Sequence, residues 1–261
     1  MINRMIFPGD ISKMPYLTHG KSRAINAENR TGEKGKGGMA ASPLGPSRKG
    51  SPCLNNIQPG QEEFLADIEG PGVIQHIWIT VDSKTSEGDC FVLRDLIMRM
   101  YWDGEENPSV EVPLGDFFCC GFGQECIVNS AIITVVPSRG LNSYFAMPFH
   151  KHARITIENQ HKNPIPAFFY QIDYCLYDSL PEDTSYFHAQ WRRQAITEIG
   201  KDYVILDNVK DFQLCRGTGG ERVKLNSTLM EMKNIQQYVE QEWKTISEVP
   251  GVSHQMKMAE L

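Results

Sequence analysis

From Gln61 onward, short apolar runs alternate with polar residues and are cut by Gly, Pro, Asn and Asp, the spacing of an all-β sandwich. Val73–Val81 predicts one strand, β-branched throughout, and Val92–Trp102 a second, with apolar weight from Leu93 and Leu96–Met100. Ser109–Val112, Asn129–Val136, Ser143–Phe149, Ala153–Glu158 and the aromatic run Ala167–Tyr177 complete a set of about seven. Helical periodicity is nearly absent before Leu180, so a jelly roll is favoured over an α/β fold. After Pro181, Tyr186–Arg193 and Asp202–Asp207 read as the first strands of a further sheet. Strands whose partners are missing leave exposed edges that invite aggregation.

Both ends break this pattern. His19–Gly60 is rich in Gly, Lys, Ser, Pro and Asn and shows neither period, which predicts a loop. A loop that long is unusual in a compact domain, so an ordered functional or interface loop stands beside the flexible one. At the other end, Leu225, Leu229, Met232 and Ile235 recur at helical spacing, and Asn226–Val249 passes as one amphipathic helix. The organisation predicted is an irregular segment 1–60, a first jelly roll 61–180, the start of a second 181–210, and a tail 211–261.

The 261 residues carry a formal net charge of −6, with 41% hydrophobic and 22% charged residues, an ordinary globular profile. Without a basic stripe, nucleic acid and anionic membrane are disfavoured as partners. Met1–Gly20 contains no apolar run of signal-peptide or membrane-span length, which makes the cytoplasm the expected location. Cys53, Cys90, Cys119, Cys120, Cys126, Cys175 and Cys215 form no CxxC pair and show no metal-ligand spacing, so reduced thiols are expected. No cofactor and no metal are implied. His150 and His152 flank Lys151 without a third ligand in view.

Several runs are more specific than composition. Leu65–Val81 reads L-A-D-I-E-G-P-G-V-I-Q-H-I-W-I-T-V, and Met100–Phe118 reads M-Y-W-D-G-E-E-N-P-S-V-E-V-P-L-G-D-F-F. N-S-Y-F-A-M-P-F follows at Asn142–Phe149, A-R-I-T-I-E-N-Q at Ala153–Gln160, and F-H-A-Q-W-R-R at Phe187–Arg193. Together they resemble glycoside hydrolase family 172, over Ser22 to Val209. The resemblance implies two tandem jelly rolls, trimers or hexamers, and retaining chemistry on furanosides such as α-D-fructofuranosides and α-D-arabinofuranosides. That chemistry needs two carboxyl groups a few ångströms apart. The resemblance places one in a W-W-G-E-G-E run and one in a G-T-G-T-E-D-Y-F run, both in the second jelly roll. Neither run occurs in this sequence.

The residues Thr218-Gly219-Gly220-Glu221-Arg222-Val223-Lys224 stand near the place expected for the first run. Encoded as ACT GGT GGG GAG AGG GTG AAG and read one frame away, they give TGG TGG GGA GAG GGT GAA, which is W-W-G-E-G-E. The shifted reading continues in family-like residues to Gly251, with one departure where Glu242-Trp243 forces Met or Val. This predicts a frameshifted tail in place of the helix. It makes the chain a truncated family member without its nucleophile and acid/base, hence an inactive one. The alternatives are a non-catalytic carbohydrate-binding or assembly module, and an intact small protein with a genuine C-terminal helix.

Among retained residues, Trp102 and Tyr144 are candidates to stack on a furanose, with core packing as the competing role for each. Asp116, after Leu114-Gly115, is placed to face a sugar, and His188 and Arg192 to point to an interdomain cleft. Asp103-Gly104-Glu105-Glu106-Asn107 has the composition of a turn. His76 and Trp78 share one strand face, which predicts packed core or interface. The segment with Glu28, Asn29 and Arg30 is a candidate for order at a subunit contact. The furanose-containing oligosaccharide and the homo-oligomer remain partners implied by the resemblance.

Overall fold

The computed structural model describes residues 19–45, 50–82, 84, 91–137, 139–193, 196 and 199. The chain divides into a unit ending at Ile196 and another spanning Thr197–Leu261. Of the second unit only Ile199 is described, so the tail helix, its frameshifted alternative and Asp202–Asp207 lie outside the described residues.

The first unit is all-β, two sheets face to face. Sheet A runs β1 (Lys21–Asn26), β12 (Ile165–Leu176), β4 (Gly72–Val81), β9 (Gly140–Ser143), β8 (Ile133–Val136) and β7 (Val128–Asn129). Two short strands join it, β2 (Leu54–Ile57) on β12 and β10 (Met147–Phe149) on β4. Sheet B runs β13 (Ala189–Gln190), β6 (Val110–Pro113), β5 (Leu96–Trp102), β11 (His152–Asn159) and β3 (Glu62–Glu69). The chain crosses between sheets at β3 to β4 to β5 and again at β10 to β11 to β12. Among the eight principal strands, β1-β12-β4-β9 therefore faces β3-β11-β5-β6, which is the strand order of a jelly roll.

Alternation explains the layers. In β4, Ile77 and Ile79 are buried while His76, Trp78 and Thr80 are only half-covered. In β12, Phe168, Tyr170, Ile172 and Tyr174 point inward and Phe169, Gln171 and Asp173 outward. In β5, Leu96, Met98, Met100 and Trp102 are buried. Each fully buried Ile or Phe contributes about 1.5–3 kcal/mol, so the core holds both sheets in register.

Several sequence expectations change. Val92–Asp95 is a helical turn, α1, entered through Phe91 at φ 73°, and the strand begins only at Leu96. Asn129–Val136 is a hairpin of β7 and β8, closed by Ser130, whose Oγ accepts from the backbone N–H of Ile133. Ser143–Phe149 splits into the ends of β9 and β10. His19–Gly60 is not all loop: β1 pairs with β12 along its whole length and β2 pairs with the start of β12. Within Tyr186–Arg193 the strand is Ala189–Gln190, and it pairs parallel with β6 rather than opening a further sheet.

The Asp103 turn is structural as its composition predicts. Asp103 sits at φ 55°, and its Oδ1 accepts the backbone N–H groups of Lys151 at 2.7 Å and His152 at 3.0 Å. Its Oδ2 accepts from the Tyr186 hydroxyl. Burial pushes the carboxyl up, but the Tyr186 and backbone donors outweigh it and hold Asp103 below the usual carboxylate range. One aspartate thereby ties the β5–β6 turn to the β10–β11 turn.

Candidate functional site

The outer face of sheet A gathers polar and aromatic groups from strands remote in sequence. A β-bulge between Asp173 and Tyr174 resets the register of β12 on β4 and leaves Asp173 directly opposite His76. His76 Nδ1 lies 2.9 Å from Asp173 Oδ2, and Nε2 lies 3.2 Å from Asn142 Oδ1. The Asn142 amide orientation is fixed, because its Nδ2 donates to the carbonyls of Gly140 at 3.1 Å and Thr134 at 3.3 Å. Its oxygen must then accept from His76. With a carboxylate at one ring nitrogen and an amide oxygen at the other, the surroundings favour the doubly protonated imidazole, in which both nitrogens donate. The Asp173 hydrogen bond raises the His76 pKa above its ordinary value, outweighing the burial that lowers it, with help from Asn142.

Tyr144 stacks on the His76 ring, ring centroids 4.7 Å apart and planes 12° from parallel, and remains 38% exposed. Asp173 keeps its second oxygen engaged by Gln171, whose Nε2 donates at 3.0 Å. Each carboxylate oxygen still has lone-pair capacity, and the side chain is one-third exposed, at 34%.

Asp173 also lines a cavity of about 300 Å³, with Arg23, Asn26, Asn29 and Glu33 among its walls. The loop over it is held by its own polar groups. Asn26 Oδ1 accepts from the backbone N–H of Glu28 at 3.1 Å and of Asn29 at 3.0 Å, and Asn29 Oδ1 accepts from Glu33 N–H at 3.1 Å. Glu28 accepts the N–H groups of Gly38 and Ala40, both at 2.6 Å, and Arg30 reaches Glu63 at 3.2 Å. Gly32, at φ 65°, lies against the Tyr174 hydroxyl where a Cβ has no room. The Glu28–Arg30 segment is thus ordered within the single chain.

A second constellation stands beside α2 (Leu114–Phe117). Asp116 Oδ1 accepts from the Trp191 indole N–H at 3.0 Å, and Oδ2 lies 3.2 Å from Arg94 Nε without hydrogen-bond alignment. Arg94 also lies over the Trp191 ring, 5.3 Å from its centroid. Burial pushes the Asp116 carboxyl up, against the pull of Arg94 and Trp191.

The predicted residues are therefore dispersed. Tyr144 belongs to the sheet A site and Asp116 to the α2 cluster. Trp102 is core: it is 1% exposed, and its indole N–H donates to the Phe187 carbonyl at 2.7 Å, so neither ring face is free for a sugar. His188 is half-buried, and burial lowers its pKa against the pull of Glu105. Arg192 is exposed on the surface. His76 and Trp78, expected in the core or an interface, face outward, because the intervening Ile77 and Ile79 take the inward positions. Asn142, Gln171, Asp173 and Trp191 were not singled out. The signal for two of them was local, since Gln171 and Asp173 are the polar beats of an aromatic alternation.

His150 packs edge-on to Tyr186, and His152 Nε2 lies 2.5 Å from Asp67. Among the described residues no group of three His, Cys, Asp or Glu side chains is arranged to hold a metal ion. Nor is any described helix long and apolar enough to cross a membrane. Residues 52–170, most of the jelly roll, match the family model described as GH172 domain-like. No curated protein matches the chain.

Proposed function

Taking the likeness of residues 52–170 to the GH172 domain as premise, we propose that this chain is a non-catalytic carbohydrate-binding jelly roll of that type, which holds a furanose-containing glycan on the outer face of sheet A. The observation that carries the reading is the doubly engaged His76. A general base needs a free nitrogen lone pair, and both nitrogens of this imidazole are already engaged, by Asp173 and Asn142. The ring instead holds the Asp173 carboxylate in place and lies under the Tyr144 ring. Acceptor oxygens beside an exposed aromatic face suit sugar hydroxyls and the apolar face of the same ring. The cavity of about 300 Å³ that Asp173 shares with Arg23, Asn26 and Glu33 reaches the lower end of the ~300–1,000 Å³ usual for small ligands.

Two further points support the absence of hydrolysis. The family-like carboxylate runs W-W-G-E-G-E and G-T-G-T-E-D-Y-F do not occur in the sequence. The frame-shifted reading of Thr218–Gly251 accounts for where they went, and nucleotide sequence across the Val209–Gly220 codons tests it directly. Titration calorimetry with α-D-fructofuranosides and α-D-arabinofuranosides tests the binding. Saturable uptake by the wild type that weakens in Asp173→Asn supports the proposal, and affinity unchanged by that substitution removes it.

A second reading, an assembly module, is favoured by one patch. Phe91 is 52% exposed, Phe122 92% and Ile127 77%, and exposed apolar side chains of this kind suit a protein contact. The trimer or hexamer implied by the family belongs to this reading, and solution mass across a concentration series tests it.

A further inference from the structure

The cysteines of the segment after α2 are placed for chemistry that the glycan site does not use. Cys126 Sγ lies 3.3 Å from Cys120 Sγ, and 3.6 Å from the carbonyl oxygen of the neighbouring Cys119. Cys126 is exposed and Cys120 is 1% exposed, so one thiol meets solvent and the other waits behind it. The loop between them is pinned at both ends. The Gly121 carbonyl accepts from the Arg94 guanidinium, and Glu125 pairs with Arg139 Nε at 2.9 Å, while Arg139 also reaches Asp82 at 2.7 Å. Upstream, the backbone N–H of Cys120 donates to the Gly115 carbonyl at 2.7 Å, and Cys119 holds φ 65°. That backbone places Cys120 as the cysteine whose sulfur meets Cys126.

We propose that Cys120 and Cys126 are a redox modification site, which closes to an intramolecular disulfide on exchange with a low-molecular-weight disulfide such as oxidised glutathione. The exposed Cys126 thiolate attacks the reagent's disulfide, forming a mixed disulfide and releasing one thiol. The Cys120 sulfur then attacks the Cys126 sulfur of the mixed disulfide, its proton passing to the departing thiolate, and the second thiol is released. Two protein thiols are oxidised and one small disulfide is reduced to two thiols. Closure requires the sulfurs to move from 3.3 Å to about 2.05 Å, a shift within reach of a surface loop. Burial, with the Cys126 contact adding to it, pushes the Cys120 thiol up to about 12. The exposure of Cys126 and the burial of Cys120 make Cys126 the first to react and Cys120 the resolving partner.

The test is peptide mapping of the whole chain after equilibration with oxidised and reduced glutathione. The expected product is a peptide pair joined between Cys120 and Cys126, lighter by two hydrogens and reversed by dithiothreitol. Cys119→Ser should leave that bond intact. Cys126→Ser, a change at the surface, should abolish it without unfolding the chain, leaving Cys120 unmodified. A bond through Cys119, a stable glutathione adduct on Cys126, or no change at any of the three would each overturn the proposal.

Discussion

On the outer face of sheet B, Arg99 Nη1 lies 2.7 Å from Glu158 and 3.5 Å from Glu62, and its Nε lies 2.8 Å from Glu111. Nearby, the Arg154 guanidinium sits 3.9 Å from the Tyr101 ring centroid, and His152 pairs with Asp67. The outer face of sheet A is also polar, yet its charges are arranged otherwise. There a single His76–Asp173 pair is flanked by amides and an exposed tyrosine, next to a cavity. Both faces come from the same alternation of inward apolar and outward polar residues. On sheet B Arg99 is ringed by three of the protein's own carboxylates, which its single guanidinium ties together. On sheet A the pair fixes geometry and leaves acceptor capacity unused.

This contrast can be broken in order of effect. Arg99→Met leaves three carboxylates facing one another around a side chain that was 17% exposed, and should cost about 1–3 kcal/mol in urea unfolding. It should leave glycan affinity unchanged; a loss of affinity would show sheet B to be part of the site. Asp173→Asn should do the reverse, weakening furanoside binding by about tenfold, or ~1.4 kcal/mol, with a smaller loss of stability. Equal effects of the two substitutions on both readouts would erase the distinction.

The pH dependence of stability sharpens the comparison further. His76 has a folded pKa above 6.5, so its pairing stabilises fully below that pH and is lost as pH rises through the raised value. Urea midpoints of wild type and His76→Gln should therefore converge at alkaline pH and separate toward pH 6. Asp103 has the opposite sign. Its carboxyl is held below 3.8, so its contribution is present above that pH and disappears as pH falls through the lowered value. Asp103→Asn should consequently be costly at neutral pH and nearly silent in acid. The smallest effect is expected from Asp116→Asn. Burial already disfavours that carboxylate, and the loss of the poorly aligned Arg94 pair should change stability by only about 0.5 kcal/mol or less, read from thermal melts.

The jelly roll was legible because its inward positions are dense and β-branched. Val73–Val81, Ser109–Val112, Ala153–Glu158 and Ala167–Tyr177 lie within a residue or two of β4, β6, β11 and β12. Strands that lean on a neighbour were not legible. In β1, Lys21–Asn26, only Ile25 is buried, and the strand exists through its pairing with β12. Val92–Asp95 carries strand-like apolar weight, yet it is a helical turn set by the backbone at Phe91. The candidate site was half legible for a related reason. Tyr144 announced itself as an aromatic in a distinctive run, while Asp173 and Asn142 become partners of His76 only through cross-strand register. Trp102 shows the converse error available to sequence reading, since a tryptophan in the most distinctive run is there for the core. His76 and Trp78 are the reverse case, for their outward direction follows once Ile77 and Ile79 are assigned to the interior.

The central claim, binding without hydrolysis on the face of sheet A, is tested most directly by one titration. Purified chain is mixed with an aryl α-D-arabinofuranoside, and bound ligand and released aryl alcohol are followed in the same sample. The account predicts saturable binding that Asp173→Asn weakens, with no aryl alcohol released above the rate of the buffer. Release that saturates with substrate, or an absence of saturable binding by the wild-type chain, would contradict it.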